Sequence, residues 1–204
     1  KHITDYKIET TYNDKDGKLI FINESDTDIK IVLADNNVIV PAKMKAEVVV
    51  PNVRLWTAED PNLYTLEIYA EGEKIIESVG FRKVTIDGKV FKINGEPIKL
   101  KGVNRHDFHC ETAATVSLED LAKDVHLMKE LNVNAVRTSH YPNSPEFYLL
   151  CDKFGLYVMD EADLECHYSW DKGKETGGIT NEDSWRAQYI DRIERMVYRD
   201  RNFP

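Results

Sequence analysis

Three short apolar runs in the second half of the chain each end in a burst of charge and imidazole. Ile98-Lys99-Leu100-Lys101-Gly102-Val103 leads into Asn104-Arg105-His106-Asp107-Phe108-His109. Val133-Asn134-Ala135-Val136 leads into Arg137-Thr138-Ser139-His140-Tyr141. Leu156-Tyr157-Val158-Met159 leads into Asp160-Glu161-Ala162-Asp163-Leu164-Glu165-Cys166-His167, with four carboxylates and one histidine in eight positions. Helical patterns separate the runs. The first has apolar residues at 118, 121, 122, 125, 128 and 131, with Ser117 as N-cap and Asp120 in capping-box position. The second starts with Ser144 and Pro145, carries Phe147, Leu150, Cys151 and Phe154 on one face, and stops at Gly155. A third is expected from about residue 182 to 199, with Trp185, Tyr189, Ile193, Met196 and Val197 on one stripe. This alternation predicts parallel strands joined by right-handed crossovers. Carboxylates at the end of a buried strand need hydrogen-bonded or charged partners. In parallel α/β sheets the C-terminal strand ends are where sites are built.

Residues 1–88 read differently. Short alternating runs occur at 6–12, 18–23, 29–33, 46–50, 63–70 and 75–81. Asp16-Gly17, Asp35-Asn36-Asn37 and Glu71-Gly72 provide turns between them, and no helix-length period appears. The pattern predicts an antiparallel, immunoglobulin-like β-sandwich over residues 1–88. Asp87-Gly88 and Asn94-Gly95 signal a small hairpin at the junction. Residues 89–204 form the second unit. A (β/α)8 barrel needs roughly 200 or more residues, so three β/α units form only its opening part. The chain stops at Arg201-Asn202-Phe203-Pro204, just after a helix and where a fourth strand is expected. It reads as a piece of a longer parent protein.

With 27 basic and 36 acidic residues the formal net charge is -9, which argues against nucleic acid or an anionic membrane as partner. No apolar stretch is long enough to span a bilayer, and no signal-peptide pattern opens the chain. Cys110, Cys151 and Cys166 are odd in number and scattered, which suggests reduced thiols and a cytoplasmic location. The sequon Asn23-Glu24-Ser25 is expected to go unused.

The three motifs carry a resemblance. Gly102-Val103-Asn104-Arg105-His106, Arg137-Thr138-Ser139-His140-Tyr141-Pro142-Asn143 and Asp160-Glu161-Ala162-Asp163-Leu164-Glu165-Cys166-His167 resemble successive barrel signatures of glycoside hydrolase family 2. Trp56, Pro61, Leu63, Tyr64 and Gly80-Phe81-Arg82 resemble the sandwich that precedes the barrel there. The resemblance implies an immunoglobulin-like sandwich followed by an incomplete (β/α)8 TIM barrel of about three units. Asp-Leu-Glu-Cys-His is nearer the Asn-Ile-Glu-Thr-His of the β-galactosidase branch than the Cys-Pro-Gly type of the β-glucuronidases. It differs in Asp163 and Cys166.

The resemblance further implies hydrolysis of terminal β-D-galactosides with retention, by two glutamates lying beyond residue 204. No catalytic residue then falls within the chain, which is expected to be inactive alone. His106 and His140 match histidines that hold sugar hydroxyls, and Arg137 matches an arginine near the nucleophile. Glu165 and His167 match two Mg2+ ligands whose third partner is absent here. The partners implied are a β-galactoside and the remainder of the parent chain, itself expected to be a homo-oligomer.

Plainer readings stand beside these. Asp160 and Glu161 suit orienting neighbours, Arg137 an ion pair with Glu161, and Glu165 with His167 an exposed loop pair. His106 and His140 suit satisfied structural histidines. Asn104 and Ser139 suit backbone hydrogen bonding, and Trp170 either a sugar platform or a loop anchor. The alternatives in function are a β-glucuronidase or β-mannosidase of the same family, or a non-catalytic carbohydrate-binding scaffold. The last would need aromatic side chains displayed on the sandwich.

Overall fold

The computed structural model describes residues 2–167 and 178–204; Trp170 lies outside the described residues. Seven strands build two antiparallel sheets. Strands β1 (Tyr6–Asn13), β2 (Asp16–Asn23) and β5 (Lys45–Val50) form one, in the order β1-β2-β5. Strands β3 (Ile29–Leu33), β4 (Asn36–Val40), β6 (Tyr64–Ala70) and β7 (Glu73–Val79) form the other, in the order β4-β3-β6-β7. Gly17, Leu19, Phe21 and Asn23 of β2 alternate inward with the period of two that a strand imposes. They join Ile29, Leu66, Ile68 and Phe81 in the core. Burying each large apolar side chain contributes roughly 1.5–3 kcal/mol. Phe21, Trp56 and Phe81 point into the interior and display no platform. Asn23 is buried too, its amide donating to the Thr27 and Val40 carbonyls at 2.8 and 3.0 Å, so it offers nothing to a glycan.

Two local expectations are corrected. Asp16-Gly17 is no turn. The turn is Asp14-Lys15, and Gly17 pairs with Tyr12 and Val50 inside the sheet. A Cβ at Gly17 would meet the Phe81 ring at 2.7 Å, so glycine serves close approach there. Asn36-Asn37 opens β4 after a turn at Ala34-Asp35, adding a strand that the asparagines disguise.

A third, small sheet follows, of β8 (Val84–Asp87), β9 (Val90–Ile93) and β10 (Glu96–Pro97). Its turns, Gly88-Lys89 and Asn94-Gly95, use left-handed backbone at Gly88, Asn94 and Gly95, residues that tolerate it. Residue 88 therefore sits in a turn between paired strands.

The parallel sheet has the order β11-β12-β13: β11 (Gly102–Arg105), β12 (Ala135–Thr138) and β13 (Tyr157–Met159). The first two start later than their apolar runs. Asn134 explains the delay, its side chain accepting from Lys101 N at 2.7 Å and donating to the Lys99 carbonyl at 3.0 Å. These bonds stand in for a ladder. Arg105, Arg137 and Thr138 are thereby drawn into the strands.

Helix α1 (Leu118–Glu130) begins where the Ser117 oxygen accepts from Asp120 N at 3.2 Å, and the Ser117 hydroxyl donates to the Asp120 carboxylate at 2.6 Å. Its buried stripe is narrower than its apolar pattern: Leu121, Val125 and Met128 are inside, Leu118 and Leu131 outside. Helix α2 (Pro145–Phe154) begins without a side-chain cap, the Ser144 hydroxyl making no cap bond. It ends at Gly155 with φ 80°, where a Cβ would come within 2.3 Å of the Ala58 carbonyl oxygen. Leu121, Val125, Phe147 and Cys151 pack on Val136 and Leu156 as a second core. The last helix, α3 (Arg186–Asp200), starts four residues after the expected position. Glu182 adopts extended backbone between two 3-10 turns, which breaks the helical run. No residue of α3 is buried. Among the described residues no helix is long and apolar enough to cross a membrane.

Sandwich and parallel sheet touch directly. Trp56 Nε1 donates to the Asp152 carbonyl at 2.9 Å, and Lys129 Nζ donates to the carbonyls of Ala58 and Gly155, both at 2.8 Å. Past α3, Arg201 pairs with Asp5 and Glu24, and the Asn202 carbonyl oxygen of the side chain accepts from Ile8 N.

Candidate active site

The three strands deliver their polar motifs to one edge of the sheet. Register places Arg105 beside Thr138 and Arg137 beside Met159, so the residues after each strand converge. On extended chain Tyr157, Met159 and Glu161 share one side, and Glu161 lands against Arg137. Arg137 Nε and Nη2 donate to the two Glu161 carboxylate oxygens at 2.6 and 3.1 Å, a bidentate pair. His140 Nδ1 lies 2.9 Å from Glu161 Oε1. The same nitrogen lies 3.2 Å from Arg137 Nη2, so a hydrogen on Nδ1 answers the carboxylate, which only accepts, and a bare Nδ1 answers the guanidinium, which only donates. Burial alone would raise the Glu161 carboxyl. Hydrogen bonds and charge from Arg137 and His140 outweigh it and hold the group below the usual carboxylate range.

His106 completes the group. Its ring lies 5.6 Å from that of His140 and 5.9 Å from that of Tyr141, both between centroids. Arg137, His140 and His106 thus come together, with the first two half-buried and His106 exposed. The Ser139–His140 peptide is cis.

Arg105 fixes the floor. Its side chain is only 7% exposed and donates to Asp124, Asp107 and Asn143 at 2.9, 2.9 and 2.7 Å. Asp107 in turn accepts from Ser144 N at 3.2 Å, and the Ser139 hydroxyl donates to the Arg105 carbonyl at 3.2 Å. The first and second strand ends are therefore tied to each other and to both helices. A cavity of about 540 Å3 runs from Trp56 and Arg82 along Tyr157 and Met159 to Arg137.

Glu165 and His167 form a pair of their own, Oε1 to Nε2 2.5 Å, with side chains 36% and 59% exposed. Alternate residues of an extended segment face the same way, as their spacing requires. Carboxylate oxygen and imidazole nitrogen are both groups that divalent ions accept as ligands, and in this structure the two are turned toward each other as an ion pair. Among the described residues no group of three or more His, Cys, Asp or Glu gathers for a metal.

Sequence reading underrated Glu161 and did not single out Asp107, Asn143 or Tyr148. The signal for Glu161 was present. Counting in twos from Met159 puts it on the face that register assigns to Arg137.

Comparison with known proteins then bears on the whole chain. Residues 1–82 match the family described as "Glycosyl hydrolases family 2", and residues 84–204 match "Glycosyl hydrolases family 2, TIM barrel domain". The β-galactosidase of Clostridium acetobutylicum is 37% identical over 207 residues, 97% of this chain and 22% of that protein. The β-galactosidase of Vibrio vulnificus (strain YJ016) is 44% identical over 155 residues, 73% of this chain and 15% of that protein. The chain thus spans about a fifth of the length of the curated relatives it matches. Among solved structures, β-D-glucuronidase from Dictyoglomus thermophilum superimposes with a TM-score of 0.85 at 27% identity, covering 99% of this chain and 36% of that one. Two family descriptions that leave only residue 83 unmatched, and whose order follows sandwich then parallel sheet, settle the relationship: the chain belongs to glycosyl hydrolases family 2.

Proposed function

We propose that this chain is the sandwich, residues 1–88, and the opening three β/α units, residues 89–204, of the (β/α)8 barrel of a retaining β-galactosidase. The observation that carries the reading is the Arg137–Glu161–His140 cluster, with His106 beside it, at the C-terminal ends of three parallel strands. A sugar offers hydroxyls that both donate and accept, and a neutral imidazole with one donor and one acceptor suits them. His140, its Nδ1 held between Glu161 and Arg137, presents Nε2 to a sugar hydroxyl, and His106 contacts a neighbouring hydroxyl. Arg137 holds its positive charge beside the reacting carbon and keeps a nearby carboxylate ionised. The general acid and the nucleophile are glutamates of later strands, placed about 5–5.5 Å apart as retention requires.

Glu165 and His167 would hold Mg2+ in this scheme. When bound, the ion gathers oxygen ligands and offsets negative charge beside the site. The β-galactosidase relatives support galactoside as the sugar. A second reading, β-glucuronide, is favoured by the β-glucuronidases that share this fold. Hydrolysis of nitrophenyl β-galactoside, β-glucuronide and β-mannoside by the full-length protein, with and without EDTA, decides between them. Fast release from the galactoside, lost with EDTA and restored by Mg2+, is expected. Preference for the glucuronide would replace the sugar, and indifference to EDTA would remove the metal from Glu165 and His167.

A further inference from the structure

Tyr148 lies on α2 and is only 4% exposed, and none of the sugar contacts proposed above uses it. Its hydroxyl has two partners. The backbone N of Asn143 donates to it at 2.9 Å, and it donates to Asp160 Oδ1 at 2.7 Å. An N–H only donates, so the single hydroxyl hydrogen is left for the carboxylate. Burial, and then the bond to Asp160, raises the Tyr148 hydroxyl above its ordinary range, so it stays a donor. Thr138 repeats the arrangement from β12. Its oxygen accepts from the backbone N of Glu161 at 3.0 Å, and its hydroxyl donates to the same Asp160 oxygen at 3.2 Å. Asn143 is buried as well, its Oδ1 accepting from Arg105 Nη1 at 2.7 Å and its Nδ2 donating to the Tyr141 carbonyl at 3.3 Å. The Tyr148 ring has contacts of its own, with Arg199 5.3 Å above it and Phe203 stacked at 5.4 Å.

We propose that Tyr148 is a positioning residue for the sugar site: its hydroxyl fastens the segment 140–143 to the end of β13 through Asp160, and so holds His140 against Glu161. The proposal rests on the reading of the Arg137–Glu161–His140 cluster as sugar-binding. His140 and Glu161 belong to different segments, and their 2.9 Å contact requires those segments to keep their spacing. Tyr148 reaches the first through Asn143 N and the second through Asp160. Asp160 and Glu161 are consecutive on extended chain and point to opposite sides, so an anchor on one orients the other. Without the Tyr148 hydroxyl, the buried Asn143 N–H loses its acceptor and Asp160 Oδ1 keeps one donor of two. A buried polar group stripped of its partner is the costly case, and the chain shifts to satisfy it. Phenylalanine retains the ring contacts to Arg199 and Phe203, so the change falls on spacing and not on packing.

The test uses the full-length protein. Values of kcat and KM on nitrophenyl β-galactoside and on its monodeoxy analogues, each lacking one sugar hydroxyl, are compared for wild type and Tyr148→Phe. Tyr148→Phe is expected to lose about tenfold in kcat/KM on the parent glycoside. The penalty for removing the hydroxyl that His140 holds should shrink by about threefold or more, while penalties at the other positions stay within about twofold of wild type. A merely structural role lowers the amount of active enzyme and scales every substrate alike. Equal loss on all substrates, or no loss on any, would overturn the proposal. Should Tyr148→Phe not fold, Thr138→Val and Thr138→Ser put the same question to the shared Asp160 oxygen, because only serine keeps a hydroxyl there. Substrate-selective loss with valine alone is expected, and equal behaviour of the two overturns the proposal. If wild type cleaves no glycoside, the sugar reading fails instead, and crystal structures of wild type and Tyr148→Phe decide the positioning. A His140–Glu161 contact kept in both overturns it; its loss in the variant alone bears it out.

Discussion

In the sandwich, β2, β3 and β6 are paired on both sides and fourteen buried apolar residues share one cluster. The parallel sheet has three strands, of which only β12 is paired on both sides, and α3 buries none of its residues. Both halves obey the same periodicities, yet one satisfies its apolar faces internally and the other leaves them open. An amphipathic pattern reports that a face wants cover and is silent on what supplies it. The stripe Tyr189, Ile193, Met196 and Val197 is as regular as any in the chain, and Ile193 is still 46% exposed. In the proposed barrel, later elements would cover it.

The largest effect expected is in the sandwich core. In the 204-residue chain, Phe21→Ala should lower the unfolding free energy by about 3–5 kcal/mol in urea titration. Ile193→Ala should change it by less than about 0.5–1 kcal/mol. Equal costs would break the comparison. A rise in the Ile193 cost in the full-length protein would sharpen it by showing that further chain covers α3. Next comes the junction. Trp56→Phe removes the bond to the Asp152 carbonyl and should cost about 1–3 kcal/mol, separating one thermal transition into two. A single transition at an unchanged temperature would show that this bond couples nothing.

A pH-dependent effect belongs to Asp152. Its carboxyl is 5% exposed and its Oδ2 has no hydrogen-bond partner. Burial pushes it up to about 8, the Arg82 charge opposing and Glu77 adding. A raised carboxyl stabilises fully below its ordinary 3.8 and loses that contribution as pH rises through about 8. The urea midpoint of the α/β half should therefore fall between these values in wild type and stay level in Asp152→Asn. The smallest perturbation is chemical. Iodoacetamide should label exposed Cys110 and Cys166 in the native protein, while Cys151, buried and with its thiol pushed up by burial, reacts only on unfolding. Native labelling of Cys151, read by mass spectrometry, would show that the second core opens readily.

Much of this was legible in the residues. Ser117 with Asp120, Pro145 with Gly155, and the Asn94-Gly95 turn act locally, so a short window suffices to read them. What escaped depends on partners distant in sequence. Gly17 looks like a turn until Phe81 is placed against it, and the start of β11 moves because Asn134, over thirty residues away, caps it. The site divides likewise. His106, Arg137 and His140 stand out by residue type and motif. Glu161 could be raised from neighbour to centre of the cluster only by the β12–β13 register. Tyr148, on an apolar helix face, carries no sign that its hydroxyl serves Asp160.

Gly155 ends α2 in a left-handed turn while pressing on the Ala58 backbone, with Lys129 gripping both carbonyls. One position thus answers to two halves of the protein at once. Exchange of sandwiches between relatives, in the laboratory or by gene recombination, has to carry the Ala58 loop and the α2 terminus as a matched set. Chimeras joined between residues 58 and 129 would inherit a mismatch that no substitution at Gly155 alone repairs.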